Sequence, residues 1–533
     1  GVTLSMPGQY QIEPETSPDN LLPEPLDSST EVDANGLFDI TNAIHLYRQL
    51  RDEYNKSITP RIANIERAKS NHPPFWNEQT NAPAELPLYQ HNVSSGIFRY
   101  VISMVSLTYN SFFPNKSYSR SLLDIELLPD PTDDTSNDPN TLIDRSEYIE
   151  KAFDNLIKHS PWAKRAHVQM VSDLMHFDFG MYHFPNKDKI EYVPIDVRKV
   201  LFPTGTSIDP DAWEYLYIEE QIPLFTLIKE YKKLTSSNNY SSAWDKDALT
   251  ELFLTWLSNP TVQHTQGLNN DAISAVDLVR NGLSTSSLLQ VAPTHVPTVS
   301  LFWRTEDGKV QVRKFFNPNH FNPTRFVYSK DGAYDKFSHA FSVFFMSDEE
   351  TEIRLARSWG SHCFNLAHAY DRTFCKFLDA IEQAATLFLK INPADLQKKI
   401  LHLGSMMVGQ FEEAKKMPHA LEAIIAGLQF LEYKLNQVTF SNGLNRTELK
   451  GEGRGAELAH TILTTEGRVH KHLMGRFIES YLRHWREVFR KILYIASQEG
   501  ALAHNKDIKV RFLDYLNDRG VPPQTLQLDS NSD

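Results

Sequence analysis

The chain has 533 residues, 41% hydrophobic and 23% charged, with 67 acidic against 54 basic side chains and a formal charge of −13. This is the composition of an ordinary globular protein, and the length suits about three domains of roughly 150 residues each. The charge excludes a generic nucleic-acid coat. No apolar run approaches the ~18 residues that a membrane-spanning helix needs, so no membrane association of that kind is expected.

Residues 1–35 carry Glu13, Glu15, Asp19, Glu24, Asp27, Glu31 and Asp33, five prolines and no Lys or Arg. Such a stretch predicts a disordered or surface-draped arm. With no basic start ahead of an apolar core, a secretory leader is not expected. From Phe38 to Ala68, the apolar positions Ile44, Tyr47, Leu50, Tyr54, Ile58, Ile62 and Ile65 keep helical spacing, and Pro60 marks a break. Gly96 to Phe113 reads as a second apolar helix or strand, and Leu128 to Thr141 as an exposed loop. Ser146 to Phe179 is helical and divided at Ser160-Pro161, where Ser160 can cap and Pro161 can open the next segment.

Glu191 to Tyr231 then reads as strand, turn, strand and helix, with Phe225, Leu227, Ile228 and Tyr231 as the apolar face of that helix. Ala248 to Leu257 is a short helix, and Ser258 to Pro297 is polar and irregular. In "SLFWRTEDGKVQVRKFF", Asp307-Gly308 sits between two alternating strands and predicts a hairpin, and Phe326 to Phe345 reads as further β-structure. From Asp348 to Ile391, Trp359, Cys363, Leu366, Tyr370, Phe374, Phe377 and Ile381 recur at threes and fours. Unbroken, that helix would be about 60 Å long. Lys399 to Val408 reads as a strand, Pro418 to Leu435 as a helix, and His460 to Ala496 as a last long helix.

Little of this assembles chemistry. The loop "GEGRGAE", which begins at Gly451, lacks both the Gly-Lys-Ser/Thr ending and the preceding hydrophobic strand of a nucleotide cradle, and reads as an interhelical loop. Among His460, His470, His472 and His484 only the middle two are close, and their i, i+2 spacing turns them to different faces, so surface histidines are expected. His362, Cys363 and His368 read as ordinary packing, and Cys363 and Cys375 stand about three helical turns apart, out of disulfide reach. Arg468, Lys471, Arg476, Arg483, Arg486, Arg490 and Lys491 make the last helix basic, as a solvated or subunit-pairing face or, alternatively, a nucleic-acid contact. Its aromatic stripe, Phe477, Tyr481, Trp485 and Phe489, belongs to a core or subunit interface. No acid, base and nucleophile come together, so neither an enzyme nor a cofactor is expected.

The order of parts is itself informative. An early amphipathic helix precedes "EYVPIDVRKVLFPTG" and "DAWEYLYIEEQIPLFTLIKEY". The hairpin follows, then "FNLAHAYDRTFCKFLDAI" and "NGLNRTELKGEGRGAELAHTILTTEGRVHKHLMGRFIESYLRHW". From about Phe38 to Ala496 this order resembles the portal proteins of tailed bacteriophages, most of all those of short-tailed, crAss-like phages. One stretch, "RSWGSHCFN", departs from relatives that carry Gln before Phe-Asn.

The resemblance implies an α+β, mainly helical subunit with wing, stem, clip and crown. It divides the chain into an acidic arm (1–35), a wing (36–245), a stem helix and linker (246–290) and a clip-like β-region (291–347). A stem helix (348–391), a tunnel loop with a wing helix (392–440), and crown-side helices with a tail (441–533) complete it. It implies a homo-oligomeric ring, usually dodecameric, in the virion at one capsid vertex, assembled in the host cytoplasm. Its partners would be the major capsid protein, a terminase packaging ATPase, a tail adaptor or head-to-tail connector, and double-stranded DNA passing through the channel. Lys398, Lys399, Lys415 and Lys416 would lie near the channel constriction, and Trp359, Tyr370, Phe374 and Phe377 would pack the stem. The rival readings are another ring or collar component of a tail, and a helical intracellular nucleotide-dependent enzyme.

Overall fold

The computed structural model describes residues 39–87, 90–110, 123–127, 147–148, 151–156, 159–237, 240–257, 294–346, 351–385, 389–391, 411–413, 421–438, 475–492, 494 and 508–512. Helix and antiparallel sheet are both present, which makes the fold α+β. Among the described residues no helix is long and apolar enough to cross a membrane.

The chain opens with α1 (Ile40–Ser57), whose first turn is capped by Asp39 accepting from the Asn42 amide at 2.7 Å. Pro60 sits in the first turn of α2 (Thr59–Lys69), where its missing N–H costs nothing, so the break falls where proline places it. A two-residue ladder joins β1 (Trp76–Asn77) to β2 (Ala82–Pro83). The segment from Gly96 resolves as a helix, α3 (Ile97–Asn110), and β3 (Leu123–Leu127) follows. In α4 (Pro161–His176) the proline opens the helix as expected, but the Ser160 side chain makes no capping bond; its carbonyl accepts from Ala163 instead.

β4 (Gly180–His183), β5 (Val193–Pro194), β6 (Val200–Leu201), β7 (Tyr215–Pro223), β8 (His295–Arg304), β9 (Val310–Phe316), β10 (Tyr328–Tyr334) and β11 (Phe341–Phe344) build two sheets. Five strands run in the order β10-β9-β8-β7-β6, and three in the order β11-β4-β5, every pair antiparallel. The segment read as one extended pair is therefore divided. Val193 pairs with His183 in the smaller sheet, whereas Val200 pairs with Ile218 in the larger.

The predicted hairpin is formed by β8 and β9, with Gly308 at φ +79° in the connection, a conformation that glycine adopts without strain. β8 also pairs with β7 from Tyr215↔Trp303 to Pro223↔His295. One sheet thus takes strands from both sides of residue 291. Side chains on β8 alternate: Val299, Leu301 and Trp303 pack with Tyr47 of α1, while Phe302 joins the main core. With both faces covered, the strand reads as a nearly unbroken apolar run.

α5 (Leu224–Ser236) starts as Pro223 ends β7, and packs Leu224, Leu227, Ile228 and Tyr231 on α6 (Lys246–Leu257). Phe225, read as part of that face, is instead 66% exposed, because one residue after Leu224 the helix has turned about 100°.

The predicted 60 Å helix is shorter. A 3-10 turn at Ile353–Leu355 precedes α7 (Trp359–Ala385), whose 27 residues give about 40 Å. β12 (Leu389–Ile391) pairs with β13 (Phe411–Glu413), and α8 (Leu421–Val438) follows. Residues 475–492 form α9, and β14 (Ile508–Phe512) pairs with β3.

The aromatic stripe of α9 lies in the main core, with Phe477, Tyr481, Trp485 and Phe489 all buried. Two residues of that helix contradict the surface expectation. His484 is buried among Tyr182, Phe184, Tyr192 and Phe344, with Nδ1 2.9 Å from the Ser342 hydroxyl. Lys491 is buried with its ammonium 4.0 Å from the Phe184 ring centre. An α-helix inserted between other elements buries several faces at once, so position on one stripe does not decide exposure.

Candidate functional site

The helical hairpin of α7 and α8 is rooted in the body by close backbone packing. Gly360 brings α7 against the end of α4; a Cβ there would lie 3.0 Å from the carbonyl oxygens of both Met175 and His176. Trp359 is buried beside it, its indole N–H donating to the Tyr109 hydroxyl at 3.3 Å. Next to this root Arg61 donates to both Asp178 carboxylate oxygens at 3.0 and 2.6 Å and to Ser361 at 2.8 Å. Ser361 in turn donates to Asp178 at 2.9 Å, and Asp178 holds the left-handed φ of +81°. Asp tolerates that conformation better than most side chains.

Higher on α7, Asp371 accepts from the Ser95 amide at 3.0 Å and from the Ser94 and Ser95 hydroxyls, closing the start of α3. Burial pushes its carboxyl up, opposed by those serine hydrogen bonds. Cys375 donates to the Val93 carbonyl at 3.3 Å, and Asp379 accepts from the His91 amide at 2.7 Å, with His91 Nδ1 2.6 Å away. One side of α7 is thereby stitched to residues 91–95.

The stripe anticipated from sequence is continuous, but its cover is not. Trp359 and Cys363 are inside the main core, Tyr370, Phe374 and Phe377 are half-buried, and Ile381 is 43% exposed. α8 continues the trend. Only Leu435 is buried along it, while Ile425, Phe430 and Tyr433 are 41%, 58% and 54% exposed. Trp359, Tyr370, Phe374 and Phe377, expected from the resemblance to pack a stem, share one helix, with Trp359 buried and the other three half-buried.

Lys398, Lys399, Lys415 and Lys416 lie outside the described residues, as do the strand expected at Lys399 to Val408, the "GEGRGAE" loop, His460, His470, His472, Arg468 and Lys471. His362 is exposed and His368 stacks on Phe364, while burial pushes the Cys363 thiol up to about 12, so no activated thiol stands there. Among the described residues no group of three or more His, Cys, Asp or Glu could hold a metal ion.

Sequence reasoning missed the Arg61–Asp178–Ser361 cluster and the Asp371 cap. The Ser94-Ser95-Gly96 run before an apolar helix was a capping signal, but its acceptor is 276 residues away in the chain. No protein-family model matches this chain, and no curated protein matches it either.

Proposed function

We propose that this chain is a portal-like structural subunit of a tailed-phage virion, forming a ring at one capsid vertex through which DNA is packaged and ejected. The observation that carries the reading is the α7–α8 hairpin, rooted in the core yet bearing Ile381, Ile425, Phe430 and Tyr433 exposed. Apolar side chains left exposed along one helical pair offer an interaction surface. Identical neighbours around a rotation axis cover such a surface in every subunit at once. The order of elements supports the same reading.

In this reading the ring, usually dodecameric, sits against the major capsid protein, receives DNA from a terminase packaging ATPase, and later docks a tail adaptor or connector. The net charge of −13 suits a channel that must release the DNA it passes, since each phosphate a protein neutralises adds affinity. Lys398, Lys399, Lys415 and Lys416 are assigned to the constriction, and Tyr370, Phe374 and Phe377 to stem packing. The ring subunit is thus a conduit, and the energy for movement comes from its partner.

Native mass and electron-microscopic class averages test this. Closed rings with a central hole wide enough for duplex DNA are expected, and Phe374→Asp with Phe377→Asp should abolish them by placing unpaired charge in an apolar contact. Rings that form normally in the double variant overturn the stem assignment. A chain that stays monomeric across salt and concentration removes the portal reading. Rings whose bore is closed to DNA favour the collar alternative.

A further inference from the structure

A pocket of about 210 Å³ opens where α2, residues 72–78, α3 and α7 meet. Rings wall it: Trp76 stacks on His72 with centres 4.4 Å apart, His368 stacks on Phe364 at 5.5 Å, and Phe98 adds a third side. Its charged groups find partners within the chain. Arg67 donates to Asn64 and pairs with Glu78 at 3.5 Å, and Asp371 accepts from Ser94 and Ser95. Burial lowers His368, which favours its neutral form. Walls of rings with their charges already answered suit an uncharged, flat occupant. A cavity of roughly 150 Å³ holds one benzene, so the volume fits a single aromatic side chain.

We infer that this pocket receives Phe430, on α8 of a neighbouring copy of this chain. The inference rests on the ring proposed above and names a contact that joins its subunits. Phe430 and Tyr433, neighbours on one face of α8, are 58% and 54% exposed, a pair of open aromatic rings that no other described helix presents. Within one subunit the pocket and these rings are both left unused. α7 supplies Phe364 and His368 to the pocket and also packs on α8, so each copy carries both halves of the contact on the same helical pair.

Charge at the rim agrees. Glu78 is 79% exposed and so stands at the mouth, and Arg67 engages one of its oxygens, leaving the other open. Lys434 lies against Phe430 with its ammonium 5.6 Å from the ring centre, donates to Gln437 at 3.1 Å, and has no carboxylate partner among the described residues. An entering Phe430 therefore brings a cation to the acid at the rim. Because pocket and aromatic pair are different patches of one subunit, the contact is head-to-tail, the kind that generates a ring when its rotation closes.

Full-length copies carrying p-azidophenylalanine in place of Phe430 can be mixed with heavy-nitrogen-labelled wild-type copies, assembled and irradiated. Mass spectrometry of the digest is expected to find cross-links from the unlabelled residue to labelled peptides within 64–78 or 364–371. Phe430→Ala should raise the concentration for half-assembly about tenfold or more while the subunit stays folded. Glu78→Lys and Lys434→Glu should each raise it about threefold, and the two together should restore it. Cross-links within one copy, or to other faces of the neighbour in closed rings, overturn the inference and leave the portal reading standing, and so does assembly indifferent to Phe430→Ala. A chain that never leaves the monomer overturns both.

Discussion

Along β8, Val299, Leu301 and Trp303 meet α1 while Phe302 meets the main core, so the strand's apolar side chains are used up within the chain. Along α7 and α8 the same kinds of side chain run past their cover, and Phe430 and Tyr433 are more than half exposed. The sheet encloses that strand on both faces, and the helical pair leaves part of its own apolar stripe open. A sheet with helices on both faces has no free side, whereas two helices cover each other on one stripe only.

The largest expected effect separates the two regions by pH. His167 and His176 are buried in the body and His183 is half-buried there, and desolvation lowers each from the ordinary 6.5 to about 4. The unfolded chain therefore takes up protons first, so the stability these groups contribute is complete above pH 6.5 and is lost as pH falls toward 4. Each is worth roughly 3 kcal/mol over that window at most.

Asp173 opposes them, because burial raises it from the ordinary 3.8 to about 7, so its cost to the fold shrinks on acidification. Three histidines outweigh one aspartate, and Tm should fall steeply between pH 6.5 and 4.5. A flat Tm over that range would show that these sites are hydrated. Asp173→Asn should raise Tm at pH 8 and make the acid loss steeper.

Next in size, Trp485→Ala empties a site packed by Phe153 and Phe489 and should cost about 3–5 kcal/mol in urea unfolding. Phe430→Ala on the hairpin should change the stability of the unassembled chain by no more than about 0.5 kcal/mol. Equal costs at the two sites would mean that the hairpin is closed within the chain, against the comparison. Asp371→Ala removes the acceptor from Ser95 and should cost about 1–2 kcal/mol, with faster amide exchange confined to the first turn of α3. Smallest of all, Phe225→Ser should stay within about 0.5 kcal/mol, whereas Leu227→Ala on the same helix should cost about 2–5 kcal/mol.

Local rules made much of the molecule legible from residues alone. Pro60 placed the break between α1 and α2, Asp307-Gly308 placed the β8–β9 hairpin, and the spacing from Trp359 to Ile381 identified a long helix. Each of these follows from backbone sterics or side-chain periodicity within a few residues, which need no knowledge of the partner.

Tertiary structure alone decided that Val193 and Val200 part into different sheets, that β8 lies beside β7, and that His484 and Lys491 are inside while Phe225 is outside. The Asp371 cap and the Arg61–Asp178–Ser361 cluster belong to the same class, since their members are 117 to 300 residues apart. Periodicity marks which side chains are apolar and on what face they recur. How many faces of an element are covered, and by which distant residues, depends on contacts that carry no signature in the local chain.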